Sequence, residues 1–163
     1  MSVLEAGQHG PGSSNRMEND MDTETQQTET KQPAPVLNGL LPYLQVDGAA
    51  KASEFYQRAF GAKEVNRHPL DEQGRTMHIH LYVNGSSLML ADAYPEYGHP
   101  LEKPQAFTLT LTVEDIDAWW DRAVAAGAEV VMPIEVMFWG DRYGQLRDPF
   151  GVLWAMNSPV KAG

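Results

Sequence analysis

The chain after its first few dozen residues consists of two copies of one pattern, and this repeat limits the fold more than any other feature. Each copy has an apolar run that ends in Val and an acidic residue, then a helical stretch, then a Gly-Ala pair. These pairs are Val46-Asp47 and Gly61-Ala62 in the first copy, and Val113-Glu114 and Gly127-Ala128 in the second. Such self-similarity indicates two structural modules of one design.

The helical stretch of each copy is amphipathic, because apolar residues recur along it every three or four positions and so share one helix face. They are Ala52, Phe55, Tyr56 and Ala59 in the first copy, and Ile116, Trp119, Trp120, Ala123 and Val124 in the second. The glycine after each stretch suits the left-handed residue that ends many helices. We interpret the Trp pair as core packing with one residue at the rim.

Three runs typical of strands follow each helix. They cover residues 62–69, 76–83 and 86–93 in the first copy, and 128–136, 143–147 and 152–157 in the second. The Asn84-Gly85 pair is a strong hairpin signal. The order βαβββ, present twice, predicts an α+β fold of two tandem modules whose curved mixed sheets surround a cup. The modules are expected at about 38–95 and 105–158.

The segment 1–35 differs in composition from the rest of the chain. It is rich in Gln, Thr, Glu, Asn, Ser and Gly and has almost no aromatic or branched apolar residue. Such a segment cannot bury enough surface to offset the entropy lost on ordering. We therefore predict a disordered N-terminal tail over 1–35 and one folded domain over 36–160.

Composition excludes several classes of function. The chain has no cysteine, which excludes disulfides, thiolate nucleophiles and Cys-based metal sites and favours the reducing cytoplasm. A formal charge of −10 argues against a nucleic-acid partner. No stretch approaches the roughly 20 apolar residues of a membrane span, and no signal peptide is evident, so we expect no membrane partner.

Alternation along the strands predicts which side chains face away from the helices. In the run 77–83, Ile79, Leu81 and Val83 would pack on a helix, while His78, His80 and Tyr82 point to the other side. Tyr43 and Thr110 take the same side in their own strands. In the run 107–113, Phe107, Leu109, Leu111 and Val113 would meet a helix.

Two histidines at i and i+2 of one strand, His78 and His80, can bind one metal ion together. Without a third ligand from another strand, such a pair is not a metal site. We interpret both as hydrogen-bonded or ligand-contacting residues.

Several motifs carry a family resemblance. The segment Pro42 to Gly48, followed by Phe55-Tyr56 and Phe60 to Ala62, resembles the opening signature of the vicinal oxygen chelate superfamily. This superfamily contains glyoxalase I, bleomycin-resistance proteins, fosfomycin-resistance enzymes and extradiol dioxygenases. Later motifs look like the glyoxalase-like subgroup labelled as similar to a demethylubiquinone methyltransferase. They are Met77-His78, Asp92, Trp139 to Gly144, Asp148 to Gly151, and Trp154. The resemblance extends from Asn38 to about Pro159 and implies the glyoxalase/bleomycin-resistance fold.

The resemblance also implies four metal-ligand positions. Enzymes of the superfamily hold one divalent ion with four side chains, typically His, Glu, His and Glu. The matching positions here are Leu41, Met89, Thr108 and Ala155. Leu and Ala have no donor atom, a thioether is a poor ligand for hard ions, and one hydroxyl cannot hold a metal alone. We therefore expect no metal and no other cofactor.

Superfamily members without a metal are binding proteins, as the resemblance implies. We therefore predict a metal-independent homodimer that binds a small, aromatic organic molecule, in the manner of bleomycin-resistance proteins. The loop Phe138 to Arg142 would close one side of the cup. The expected ligand-binding residues are Tyr43, His78, His80, Tyr82, Thr110, Trp139 and Arg142.

Two other functions stay open. One is an enzyme, a glyoxalase-like lyase or a dioxygenase, with a relocated metal or with metal-free acid–base chemistry by Glu135 or Asp141 and a histidine. The catalytic residues of such an enzyme are unknown. The other is a structural module that binds another protein through its acidic tail.

Removal of residues 1–35 is expected to leave the fold intact, because this segment has almost nothing to bury. Thermal melts of the full chain and the truncated chain should agree within a few degrees. A larger fall in Tm would show that the segment takes part in the fold.

Overall fold

We analysed a computed structural model, which describes residues 33–160. Most of the predicted tail, residues 1–32, lies outside the described residues. The first module contains β1 (Tyr43–Val46), α1 (Ala49–Phe60), β2 (Lys63–Arg67), β3 (Ile79–Val83), β4 (Ser86–Asp92) and a short 3₁₀ turn (Pro95–Tyr97). The second contains β5 (Leu109–Thr112), α2 (Ile116–Ala126), β6 (Glu129–Val136), β7 (Asp141–Arg147) and β8 (Leu153–Pro159).

Each module forms its own four-stranded sheet, and both sheets have the same topology. The strand orders are β1-β4-β3-β2 and β5-β8-β7-β6. In each sheet the strand before the helix pairs in parallel with the last strand, and the other pairs are antiparallel. This arrangement confirms the predicted α+β fold of two tandem βαβββ modules.

The first helix buries the face that its spacing predicts. Ala52, Phe55, Tyr56 and Ala59 are all inaccessible or nearly so. The opposing sheet contributes Ile79 and other buried aliphatic side chains from β1, β3 and β4. Each large apolar side chain buried in this way stabilises the fold by about 1.5 to 3 kcal/mol.

The second helix is less completely buried. Trp119 and Trp120 are both half-buried, and Val124 is exposed because no described element covers it. Trp120 lies so close to β7 that a Cβ atom at Gly144 would stand 2.6 Å from its Cζ3 atom. Glycine at position 144 therefore allows the indole ring to rest against the sheet.

The start of the second module also differs from the prediction. Phe107 is 44% exposed rather than packed under a helix, and β5 begins only at Leu109. Ala106 has a φ of 65°, so the chain turns immediately before Phe107. The strand alternation that assigned Phe107 to the core does not reach it, because regular strand structure starts two residues later.

A buried carboxylate joins the two modules. Asp148, in the turn between β7 and β8, accepts hydrogen bonds from the Tyr56 hydroxyl of α1 at 2.6 Å and from Trp154 Nε1 at 2.9 Å. Its other oxygen accepts from the backbone N–H groups of Phe150 and Val152, each at 2.9 Å. Burial, and then the charge of Asp148, raises the pKa of Tyr56 well above its usual value, so the phenol stays protonated and donates.

No helix within residues 33–160 is long and apolar enough to cross a membrane.

Tyr56→Phe should destabilise the protein by roughly 1.5 to 3 kcal/mol, because it removes one of the donors to a buried charge without creating a large cavity. Urea unfolding of the variant and the parent chain measures this difference. Tyr97→Phe is the matched control, since Tyr97 is 67% exposed. Equal unfolding free energies for Tyr56→Phe and the parent would show that the bond contributes nothing.

Candidate functional site

The candidate site lies on the face of the first sheet that points away from α1, which we call the distal face. Pairing of the strands places Tyr43 beside Met89, His80 beside Met89, and Tyr82 beside Ser87. Side chains alternate along each strand, so these residues point opposite to the buried aliphatic set. The structure therefore puts Tyr43, His80 and Tyr82 on the side that alternation predicts.

A cavity of about 420 Å³ opens at one end of the distal face. This volume lies within the range of pockets that bind small organic molecules. Three tyrosines, one methionine and a few polar groups line it. The lining residues are Tyr43, Gln45, Met77, Ala91, Asp92, Tyr94, Tyr97 and His99.

Tyr43 and His78 form a hydrogen-bonded pair at the edge of this cavity. The Tyr43 hydroxyl lies 2.9 Å from His78 Nδ1 and 3.3 Å from the carbonyl oxygen of Met77. Burial, and then the nearby His68 and His80, lowers the pKa of His78, so its imidazole is neutral at pH 7. Burial also raises the pKa of Tyr43, which keeps the phenol protonated. The protonated phenol and the neutral imidazole can therefore each donate or accept a hydrogen bond to a ligand.

The opposite wall of the cavity is a short loop after β4. Tyr94 and His99 pair through two backbone hydrogen bonds, of 2.7 and 3.0 Å, which close the loop around the 3₁₀ turn. Arg75 fixes this loop to the segment before β3. Its guanidinium lies over the Tyr94 ring, 4.3 Å from the centroid, and binds Glu96 at 2.6 Å and Asp71 at 2.9 Å.

Sequence analysis did not identify Tyr94, Tyr97 or His99 as site residues. They lie outside the strands, so alternation gives no information about them. The available signal was two tyrosines three positions apart, interrupted by Pro95 and followed by Gly98, directly after a strand. That pattern is typical of an ordered aromatic turn.

Asp92, at the base of the cavity, has a structural role. One oxygen accepts from the backbone N–H groups of Gly48 and Ala49, at 2.8 and 2.9 Å, where α1 begins. The other accepts from the backbone N–H of Thr76 at 2.8 Å. The carboxylate thus satisfies free donors at the positive end of the helix and holds the segment before β3 in place.

The other end of the distal face is occupied by the chain that precedes β1. The Tyr82 hydroxyl donates to the carbonyl oxygen of Pro35 at 2.6 Å, and Leu37 N–H donates to Ser87 Oγ at 2.8 Å. His80 is only 2% exposed, and its Nε2 lies 2.8 Å from Ser87 Oγ. Its burial lowers its pKa. Of these predicted site residues, Tyr43 lines the cavity and His78 only bonds to the Tyr43 hydroxyl, whereas His80 and Tyr82 have partners elsewhere.

The remaining predicted residues lie in the second module. Thr110 is exposed and lines a smaller cavity of about 230 Å³. Trp139, at the turn between β6 and β7, packs edge-on against Tyr143 with 5.7 Å between ring centroids. Arg142 forms two hydrogen bonds, of 2.7 and 2.8 Å, with the carboxylate of Asp117. The structure does not place these three residues at the larger cavity, and their role in ligand binding stays a prediction.

Comparison with known proteins identifies the family. The model of the Glyoxalase/Bleomycin resistance protein/Dioxygenase superfamily matches residues 36–156. The chain belongs to this superfamily. An uncharacterised protein of Mycobacterium tuberculosis is 43% identical over 128 residues, which cover 75% of each chain. Protein YjdN of Escherichia coli is 28% identical over 141 residues, covering 72% of this chain and 93% of its own.

Solved structures share the fold of this chain. Protein PA1353 of Pseudomonas aeruginosa has a TM-score of 0.62 and 28% identity, with 75% of this chain and 98% of that chain covered. TioX of a Micromonospora species has a TM-score of 0.61 and 26% identity, with 76% and 99% covered.

The residues at the four positions that the resemblance assigns to metal ligands do not fit a metal ion. Leu41, Met89, Thr108 and Ala155 offer no imidazole and no carboxylate, the donors that such an ion requires. Residues 33–160 also contain no group of three or more His, Cys, Asp or Glu side chains that could hold a metal ion. We therefore derive no chemical step through a metal in this superfamily member.

Proposed function

We propose that this protein binds a small, aromatic organic molecule in the cavity of the first module, without the aid of a metal. The observation that carries the proposal is the aromatic lining of the 420 Å³ cavity, in which Tyr43 and Tyr97 supply exposed rings and Tyr94 is a buried wall residue. Tyr43 and Tyr97 are 54% and 67% exposed, so their rings are available for contact. Stacking on such rings contributes about 0.5 to 1.5 kcal/mol per pair beyond the area that is buried.

Polar groups around these rings would orient the ligand. Gln45 and His99 line the cavity, and the Tyr43 hydroxyl stands at its edge beside His78. An aromatic pocket with a few directed donors and acceptors is typical of sites that select a planar molecule. The absence of metal-competent side chains at positions 41, 89, 108 and 155 supports binding over metal-assisted turnover.

We also propose that the protein acts as a homodimer in the cytoplasm. Within residues 33–160 each sheet has two edge strands whose outer edge pairs with no other strand, and exposed edges tend to pair with another chain. The edge strand β6 also exposes Val130, Val131 and Val136. Apolar side chains grouped in this way favour coverage by a second copy. The cytoplasmic assignment rests on a chain without cysteine.

Calorimetric titration with a panel of fused-ring aromatic compounds tests the proposed site. Tyr43→Ala should weaken the best binder by about five- to tenfold, the loss of one ring contact together with its hydrogen bonds. Phe107→Ala is the matched control, because it removes an exposed aromatic side chain that lines a different cavity. Unchanged affinity in Tyr43→Ala, with Tm preserved, would contradict the proposed site.

Trp139→Ala, included in the same titrations, tests the sequence prediction that the loop Phe138 to Arg142 closes the cup. The sequence prediction expects weaker binding, whereas a site confined to the cavity of the first module expects the affinity of the parent chain. The Tm should be unchanged in either case, since Trp139 is 47% exposed. An affinity equal to that of the parent chain would remove the loop from the site and leave the role of Tyr43 intact.

A further inference from the structure

We propose that the ligand of this cavity carries a positive charge, as an ammonium or quaternary nitrogen attached to its aromatic part. This inference rests on the proposed function, because it assigns a charge to the molecule bound in the same cavity. The lining contains no Lys or Arg, and its one carboxylate is Asp92. An anionic ligand would meet no cationic side chain among these lining residues.

The tyrosine rings supply the main attraction for a cation. The face of an aromatic ring carries negative potential, and it attracts a cation that lies over it. The ring of Tyr94 already holds a cation of the chain itself, since the guanidinium of Arg75 stands 4.3 Å from its centroid, and this ring is buried. The rings left for a ligand cation are therefore those of Tyr43 and Tyr97. Tyr97 lies beside Tyr94, with 6.1 Å between centroids and 32° between ring planes. Tyr97 is largely exposed, so its faces are not filled by the protein.

Carboxylates around this wall exceed the cations. Asp71 and Glu96 both bind Arg75, and Asp92 lines the cavity, so this part of the molecule has three carboxylates and one guanidinium. The pKa of Tyr94 agrees with this count: burial raises it most, Asp71, Asp92 and Glu96 raise it further, and only Arg75 lowers it. A cleft with this excess concentrates cations near its mouth, as does the formal charge of −10 on the whole chain.

The hydrogen bonds that Asp92 already accepts favour a ligand cation that needs no hydrogen-bond acceptor. Its oxygens already accept three backbone N–H groups, from Gly48, Ala49 and Thr76. A direct ion pair with a ligand would compete with these bonds at the start of α1. Attraction by ring faces and by the surrounding field needs no hydrogen-bond donor on the ligand. A quaternary ammonium should therefore bind well, as in aromatic cages that recognise such groups.

The experiment uses one naphthylmethyl scaffold that carries a trimethylammonium, a hydroxymethyl or a carboxylate group, titrated into the full chain by calorimetry. The cation is expected to bind at least tenfold more tightly than the neutral probe, and the anion most weakly. Equal binding of the cation and the neutral probe, or tightest binding of the anion, would overturn the charge assignment while leaving the aromatic site in place. No binding of any of the three would overturn both proposals.

A pair of variants at Tyr97 separates ring attraction from general charge. Tyr97→Phe keeps the ring face, and the preference for the cation over the neutral probe should persist. Tyr97→Leu keeps an apolar side chain but loses the ring, and the preference should fall at least threefold. Both changes are at an exposed position, so Tm should hold. A preference that is equal in the two variants would show that Tyr97 does not recognise the charge.

Discussion

The arrangement of the two modules depends on the hydrogen bond that the buried carboxylate of Asp148 accepts across them. Asp148 lies in the second module but accepts a hydrogen bond from Tyr56, in the helix of the first. The aromatic rings of both modules pack around this bond, with Phe60 and Trp154 4.5 Å apart between centroids. A buried charge requires its hydrogen-bond partners, so the bond to Tyr56 holds α1 against the second module. The other side of α1 covers one face of the first sheet. The distal face of the first sheet is consequently free of α1 and available for other contacts.

The distal face is divided into two parts by what lies on it. At one end, backbone groups of Pro35 and Leu37 bond to Tyr82 and Ser87, and His80 is buried. At the other end, the loop fixed by Arg75 stands beside Tyr43 and leaves the cavity between them. The superfamily fold thus supplies a scaffold, and two segments outside its strands shape the site. In the proposed function the aromatic rings are the main source of binding energy, because the positions that the resemblance assigns to metal ligands lack donors.

Periodicity predicted those parts of the structure that follow from local geometry. The buried face of α1 and the side on which Tyr43 and His80 lie both come from fixed angular spacing, and both are found as predicted. The wall formed by Tyr94 depends instead on Arg75, from another segment, and no local pattern specifies such a contact. The contact between Tyr82 and Pro35 uses a backbone carbonyl oxygen, which every residue has. The residue type at position 35 therefore gives no sign of this contact. Phe107 was misplaced because β5 begins only at Leu109, two residues after it, so the alternation of the strand does not reach Phe107.

Native mass spectrometry of the protein after dialysis against a chelator tests the central claim most directly, because it reports subunit number, metal and bound organic molecule together. The expected result is a dimer that contains no stoichiometric divalent ion and still takes up the naphthylmethyl trimethylammonium probe, with one molecule per chain. One divalent ion per chain before dialysis, together with loss of probe binding when the ion is removed, would contradict the central claim.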